Sequence, residues 1–259
     1  MAEVSAILAI AHRDLVKLLR DRLRIVADFA LPLILVLLLG PTLQAGFGEP
    51  GGIDITTFVF TGVLAQSVWQ SASMGLISLI ADREEDFSQE IFVSPISRYS
   101  IVAGKIIGES LVALPQALAV LGLAILLGIP VSPATLVAIL PVVLAMAVYG
   151  GAFGILILSN LTSQRTANQI FPFVMLPQFF LAGVFNPIHA LPPVLAVLSA
   201  ISPMRWAVEA VRHVYYATQP GLVPPELTPA PVVVAVIAVS FVGFIAVGTA
   251  LFVRAERNR

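Results

Sequence analysis

Long apolar runs separated by short polar segments dominate this chain. A helix needs about 20 mostly apolar residues to cross the ~30 Å hydrocarbon core of a bilayer. Five runs reach or approach that length, and a sixth is shorter and contains two prolines. The pattern predicts an all-α membrane protein with six transmembrane helices, at residues 29–45, 58–80, 101–127, 133–158, 170–184 and 231–253.

The segment at residues 186–202 lies between the fifth and sixth predicted spans. Its apolar part, Leu191–Ile201, is too short to cross a bilayer, and prolines flank it on both sides. Short apolar runs of this kind are typical of re-entrant or interfacial segments, and proline disfavours a continuous helix. We therefore expect a re-entrant helical hairpin before span six. The alternative joins residues 170–201 into one long kinked span.

The composition agrees with a membrane protein. Apolar residues make up 58% of the 259 residues and charged residues only 11%, which is the composition expected of a membrane chain. The net charge of −1 gives no basic field that would indicate a nucleic-acid partner. The chain has no cysteine, which excludes disulfides and thiolate chemistry.

The basic residues predict the orientation in the membrane. Lys and Arg concentrate in cytoplasmic loops, and twelve of the fourteen here lie on one side of the predicted spans. Only Arg205 and Arg212 lie on the other side. The distribution predicts a multi-pass protein of the cell membrane with both termini in the cytoplasm.

Residues 1–24 form the first charged segment and read as an amphipathic helix. Five apolar residues fall on one face of that helix, with most of the basic residues elsewhere: Leu8, Ala11, Leu15, Leu18 and Leu19. Such helices lie in the headgroup plane of a membrane. A plain basic anchor for the first span is the alternative, and the two readings are compatible.

Motifs for catalysis are missing from the sequence. A phosphate-binding loop needs Gly-x-x-x-x-Gly-Lys-Ser/Thr, but Tyr99 and Ile106 replace the first glycine and the hydroxyl residue around Gly104-Lys105. No zinc-protease or serine-hydrolase motif occurs. We expect no catalytic residue and no metal site in this chain.

Polar residues inside the spans are candidates for a translocation path. Gln66, Gln70 and Ser73 follow one face of span two, where they would either bond helices together or line a polar wall. Glu109 lies in span three, one turn after Lys105. The two form either an i,i+4 pair near the interface, with the lysine extended to water, or a substrate or gating group.

The segment at residues 83–97, between spans two and three, reads as a short charged helix with apolar residues. Acidic residues favour a helix start near Asp82, and Pro95 ends the helix. A short cytoplasmic helix cannot bury its own apolar residues, so another protein is the preferred receiver, with this chain's own helix ends as the alternative. The candidate contact residues are Arg83, Glu84, Glu85, Phe87, Glu90, Ile91, Pro95 and Arg98.

Two blocks of sequence resemble one transporter family. The acidic segment followed by "SPISRYSIVAGKIIGE" is similar to the membrane subunit of type-2 ABC exporters, especially the drug-resistance and nodulation-factor export branches. The late block "GVFNPIHALPPVLAVLSAISPMRWAVEAVRHVYY" is similar to that family's second hallmark. The residues that match it are Phe185, Pro187, Leu191, Pro192, Pro203 and Arg212.

The resemblance implies a transport subunit that does not itself hydrolyse ATP. In that family separate cytoplasmic ABC ATPase subunits bind ATP and Mg²⁺, so no cofactor is expected in this chain. Residues 83–97 would be the coupling helix that docks on the ATPase, and the N-terminal helix would contact the same partner. Six spans form half a transporter, so a second permease copy or a related chain is expected, within membrane lipid.

The substrate class stays open between alternatives. Many Phe, Leu and Val residues with few Trp and Tyr favour an amphipathic drug or lipid over a polysaccharide or glycoconjugate. A stand-alone secondary transporter would show internal repeats or intramembrane charges, and only Glu109 is a candidate charge. A membrane enzyme acting on lipid would need a catalytic constellation that the sequence lacks.

Overall fold

The computed structural model describes residues 2–84, 97–159, 161, 163–188 and 191–257, and the regular structure in these ranges is entirely helical. The fold class predicted from the apolar runs, an all-α membrane protein, is confirmed. The α-helices are α1 (Ala2–Arg20), α2 (Arg22–Ile34), α3 (Gly40–Phe47), α4 (Ile55–Gly75), α5 (Ile77–Glu84), α6 (Arg98–Leu126), α7 (Pro133–Leu158), α8 (Gln164–Leu181), α9 (Pro193–Ile201), α10 (Pro203–Ala217) and α11 (Ala230–Arg257).

Side-chain caps fix where four of the long helices begin. The carboxylate of Asp54 accepts the Thr57 N–H at 2.6 Å at the start of α4. Ser97, Ser132 and Ser163 cap α6, α7 and α8 in the same way, each accepting a backbone N–H three residues later at 3.1 Å. Each cap satisfies one of the backbone donors that a helix start leaves without an internal partner.

Five helical stretches within the described ranges are long and apolar enough to cross a membrane. They are Asp28–Phe47, Ile55–Ala81, Tyr99–Leu126, Pro133–Leu158 and Ala230–Arg254. The first is continuous through a π-helical turn at Leu35–Leu39 that joins α2 to α3. Helices α9 and α10 would supply a sixth stretch if they are counted as one bent span.

The region before the last span contains a sharp bend. Helices α9 and α10 meet at 83° around Ser202, and a turn at Gly183, with φ of +74°, follows the end of α8. The segment predicted as a re-entrant hairpin, residues 186–202, contains α9, and α10 follows it outside the predicted bounds. Sequence reasoning did not assign α10, because its mixed apolar and charged composition has no long hydrophobic run.

Helix α4 is the centre of the bundle and is buried along most of its length. A β-carbon added at Gly150 of α7 would lie 2.2 Å from the carbonyl oxygen of Trp69, and one at Gly154 would lie 2.7 Å from that of Ser73. The Gly-x-x-x-Gly motif in α7 therefore brings two helix backbones into direct contact. Helix α11, by contrast, lies at the outside of the bundle and buries little of its surface.

The N-terminal helix packs against α6 through a second pair of glycines. β-carbons at Gly104 and Gly108 would lie within 3.2 Å of Ile7 and Ala11 of α1. Of the predicted apolar face, Ala11 and Leu18 are buried together with Asp14, whereas Leu8 and Leu19 are 62% exposed.

Candidate functional site

A cleft of about 470 Å³ opens between α2, α4, α6 and α8, at the end of the bundle where α1 packs. We call it the polar cleft, because amides and hydroxyls line it among aliphatic residues. Its walls belong to spans that are otherwise strongly apolar. The described lining residues are Asp28, Leu31, Pro32, Leu35, Gln66, Ser67, Gln70, Ser71, Met74, Gly75, Ile77, Ser78, Gln116, Gln164 and Asn168.

Two of the residues predicted for a translocation path face this cleft. Gln66 is almost fully buried, and its side-chain Nε2 donates to Oε1 of Gln70 one turn later. The Gln70 Nε2 lies 3.7 Å from the sulfur of Met74. The three side chains therefore form a continuous row along the α4 wall.

Sequence reasoning missed the opposite wall of the cleft. Gln116 of α6 is buried, and its Nε2 donates to the backbone carbonyl of Asp28 at 2.6 Å. This bond ties the middle of α6 to the start of the first span. Gln164 and Asn168, near the start of α8, complete the polar lining. The available signal for Gln116 was a single amide within an apolar run, whereas Gln164 and Asn168 precede the predicted span at residues 170–184.

Ser73 does not line the polar cleft. Its side chain is fully buried, and its hydroxyl oxygen lies 2.8 Å from the carbonyl oxygen of Trp69 and 2.7 Å from that of Gly150. The hydroxyl thus bonds α4 to α7, which is the helix-bonding role that small polar residues serve in membranes.

Glu109 lies behind the cleft in a buried ionic network. Lys105 Nζ lies 2.8 Å from Oδ2 of Asp14 and 3.2 Å from Oε1 of Glu109. All three side chains are at most 3% exposed. The predicted i,i+4 pair is present, but Lys105 does not extend to water, because Asp14 of α1 closes over it. Ser78 donates to Glu109 at 3.1 Å and also lines the cleft, so the network reaches the cleft wall.

The start of α1 makes a second connection to α6. The carboxylate of Glu3 accepts the backbone N–H of Ser97 and its hydroxyl, both at 3.2 Å. Hydrogen bonds, first from Ser100 and then from Ser97, lower the pKa of the Glu3 carboxyl. Helix α1 is therefore attached to α6 at its first turn and again at Asp14, over about 11 residues or ~16 Å of helix.

Most of the residues predicted to dock on a partner lie outside the described residues. This holds for Glu85, Phe87, Glu90, Ile91 and Pro95. Arg83 and Glu84 lie in the last turn of α5, and Arg98 is the first residue of α6. Helix α5 ends at Glu84, and the remainder of the acidic cluster, where the sequence predicts a helix start, lies outside the described residues.

Arg212, from the second motif, is buried at the far end of the bundle. It is 1% exposed, its Nη2 donates to the Phe58 carbonyl at 3.1 Å, and its guanidinium lies 3.7 Å above the Phe58 ring. It also reaches the carbonyl oxygen of Val184, at 3.5 Å. Arg212 thus joins α10 to the start of α4 and to the turn after α8.

The other motif residues shape the loop around α9. Phe185 stacks on Phe179 with ring centroids 5.6 Å apart, while Pro187 is exposed. Pro192 is the N-cap residue of α9 and Pro203 occupies the first turn of α10. Pro192 and Pro203 therefore lie at helix starts, where the backbone N–H that proline lacks would have no partner within the helix.

Within the described ranges, no group of three His, Cys, Asp or Glu side chains could hold a metal ion. The polar cleft has one ionisable lining residue, Asp28. The lining offers amide and hydroxyl hydrogen-bonding groups beside aliphatic surface.

The bundle, its polar cleft and its bent helix pair define the membrane domain of a transporter. Residues 5–216 match the family model for the ABC-2 type transporter, and the chain belongs to that family. It is therefore a membrane permease of an ABC transporter.

The names of similar proteins are consistent with this family assignment. The chain is 21% identical over 216 residues to "Putative transport permease ycf38" of Cyanophora paradoxa, covering 82% of this chain and 74% of that protein. It is 30% identical over 144 residues to "Probable multidrug ABC transporter permease YbhR" of Escherichia coli strain K12, covering 54% of this chain and 38% of that protein. The same values hold for YbhR of E. coli O157:H7.

Proposed function

We propose that this permease exports an amphipathic drug or lipid-like molecule from the cytoplasm, driven by a separate ATPase. The observation that carries the proposal is the polar cleft, which opens at the α1 end of a bundle that is otherwise apolar. Under the positive-inside rule this end faces the cytoplasm, so the cleft is accessible to a molecule in the cytoplasm or the inner leaflet.

The size and lining of the cleft favour a small amphipathic substrate over a polysaccharide. Its volume of about 470 Å³ lies within the usual range for small-molecule sites, ~300–1,000 Å³. Leu31, Leu35 and Ile77 offer aliphatic surface beside the amides. No aromatic residue occurs among the described lining residues, whereas sugar paths are usually lined by aromatic rings.

The ATPase partner is proposed to engage residues 83–97. The family model implies an ABC transporter with such a partner, and this segment lies between two helices that both reach the buried ionic network, α5 through Ser78 and α6 through Lys105 and Glu109. A partner that binds there would act on the helices that line the cleft. ATP and Mg²⁺ would bind in the partner, not in this chain.

A second permease copy is proposed to cover the exposed face of α8. Phe173, Leu176 and Phe180 on this face are 60–80% exposed, and α8 packs on the bundle only through a narrow stripe. Leu31 and Leu38 of the first span are also more than half exposed. Two copies joined at these faces would bring two polar clefts together. Cross-linking of cysteines introduced at Leu176 tests this arrangement.

The experiment that tests the function compares transport by the wild type with transport by variants in which residues 83–97 should no longer dock on the ATPase. The permease and its ATPase are reconstituted in liposomes, and ATP-dependent uptake of a fluorescent amphipathic compound into inside-out vesicles is measured. Phe87→Asp or Ile91→Asp would place an unpaired charge in the docking site, costing roughly 3–5 kcal/mol if that site is fully desolvated. Transport and co-purification of the ATPase should both be lost.

A matched control makes the same change at the opposite end. Phe47 ends α3 and is 71% exposed, so Phe47→Asp should insert, bind the ATPase and transport normally. Normal transport by the Phe87→Asp and Ile91→Asp variants would remove the proposed docking role of residues 83–97. ATP-independent uptake would contradict the exporter itself.

A further inference from the structure

The wall of the polar cleft formed by α4 and α6 presents hydrogen-bond acceptors. Gln66 is 2% exposed and Gln116 is 6% exposed, yet the side-chain Oε1 of each has no hydrogen-bond partner within the described part of the chain. Both residues line the cleft. A buried acceptor without a partner is costly to the protein, so a bound donor would relieve that cost.

The direction of the Gln116 amide follows from its partner. The backbone carbonyl of Asp28 can only accept, so the amide nitrogen faces it and the oxygen is left without a partner in the wall of the cleft. The Gln66 nitrogen points to the oxygen of Gln70, which leaves the Gln66 oxygen in the same situation. The hydroxyl of Ser67 donates to the Leu64 carbonyl of its own helix. Among the described residues, the Ser78 hydroxyl has only acceptors, Gly75 and Glu109, as its partners. Both hydroxyls therefore keep oxygen lone pairs as their remaining capacity.

The charge of the lining also favours a ligand that donates hydrogen bonds and carries a positive charge. Asp28 is the only ionisable residue among the described lining residues, and it is acidic. Neither lysine nor arginine occurs in that set. The acceptor oxygens of this wall would repel a carboxylate ligand, whereas they would accept hydrogen bonds from an ammonium group.

We propose that the polar cleft binds the protonated amine of an amphipathic cation, with the N–H groups on the Gln66 and Gln116 oxygens and the apolar body against Leu31, Leu35 and Ile77. This deepens the proposed function by naming the substrate class, and it rests on that function only for the claim that the bound molecule is exported. Binding itself needs no ATPase.

The test measures binding of three matched fluorescent probes to the purified permease in nanodiscs. Dansylcadaverine carries a primary ammonium, its N-trimethyl derivative keeps the charge without N–H donors, and 6-(dansylamino)hexanoate carries a carboxylate on a similar chain. We expect saturable binding in the order ammonium, trimethylammonium, carboxylate. The loss from ammonium to trimethylammonium should be about tenfold or more, as for a hydrogen bond to a charged group.

Two substitutions at Gln116 make the assignment specific to this site. Gln116→Leu removes the acceptor and should weaken ammonium binding by about tenfold while carboxylate binding changes little. Gln116→Lys places a cation at the same position and should reverse the preference toward the carboxylate probe. Gln169→Leu, an equal change at an exposed position of α8, is the matched control and should bind all three probes as the wild type does.

Three results would overturn the inference: no saturable binding of dansylcadaverine, equal binding of ammonium and carboxylate probes, or an unchanged preference in Gln116→Lys. Thermal unfolding of each variant checks that the fold is kept. ATP-driven export of neutral compounds without amine binding would overturn this inference alone. Amine binding without any ATP-dependent export would instead overturn the proposed function and leave the binding site standing.

Discussion

Lys105→Met tests the buried ionic network that joins α1 to α6. The lysine is 1% exposed and lies between the carboxylates of Asp14 and Glu109, at 2.8 and 3.2 Å. Methionine keeps the length and apolar volume of the side chain but leaves two buried acids without their shared cation. Removing one partner of a buried ion pair costs about 3–5 kcal/mol.

The assay is thermal unfolding followed by the fluorescence of the two tryptophans. A chain of this size loses about 2–4 °C per kcal/mol, so the midpoint should fall by roughly 6–20 °C. Asp14→Asn combined with Lys105→Met should lose less than the sum of the two single changes, by about 0.5–3 kcal/mol. Arg20→Met, at an exposed position of α1, is the control and should change stability by about 0.5 kcal/mol or less.

A fall of less than about 2 °C for Lys105→Met would refute the reasoning, since it would correspond to less than about 1 kcal/mol. Strict additivity in the double variant would refute it as well. Either result would mean that the glycine contacts and the Glu3–Ser97 bonds hold α1 on α6 without a large contribution from Lys105.

Three further predictions address other parts of the fold. The purified chain should hydrolyse no ATP above background in a phosphate-release assay, and robust hydrolysis without a partner would contradict the permease assignment. Gly150→Ala places a methyl group 2.2 Å from the Trp69 carbonyl oxygen, so it should destabilise the bundle by about 1–3 kcal/mol, whereas Gly122→Ala, which meets nothing within 4 Å, should not. Cysteines at Pro187 and Pro220 should both react with an impermeant maleimide from the same side of the membrane, and opposite sidedness would make α9 and α10 a true crossing.

The fold class follows directly from the sequence, while the cleft follows only in part. The lengths of the apolar runs are a local property, and so is the spacing of Gln66 and Gln70 along one face of a helix. Gln116 could not be assigned to the cleft from the sequence, because its position there depends on a hydrogen bond to Asp28, 88 residues away. A single amide in an apolar run does not indicate which neighbour it will meet.

The same limit applies to the way α1 packs on α6. The apolar face of α1 can be read from the sequence, but its buried charge is Asp14, whose partner Lys105 lies 91 residues further along the chain. The pairing, together with the glycines of α6, fixes the rotation of α1. Both contacts are long-range, and a hydrophobic period computed within one helix does not contain them.

The double attachment of α1 has a mechanical consequence for α6. Ser97, at one end of this helix, adjoins residues 85–96, and Gln116 lies 19 residues further along, about 28 Å away at ~1.5 Å per residue. Helix α1 is bonded alongside the first turns of α6 and supports that end of the helix, and Pro115 directly precedes Gln116. If α6 tilted as a rigid rod, a tilt of roughly 5° at Ser97 would displace the Gln116 amide by about 2.4 Å over this length, which is close to its whole hydrogen-bond distance of 2.6 Å to Asp28. A small rotation at Ser97 would then break the bond that joins α6 to the start of the first span.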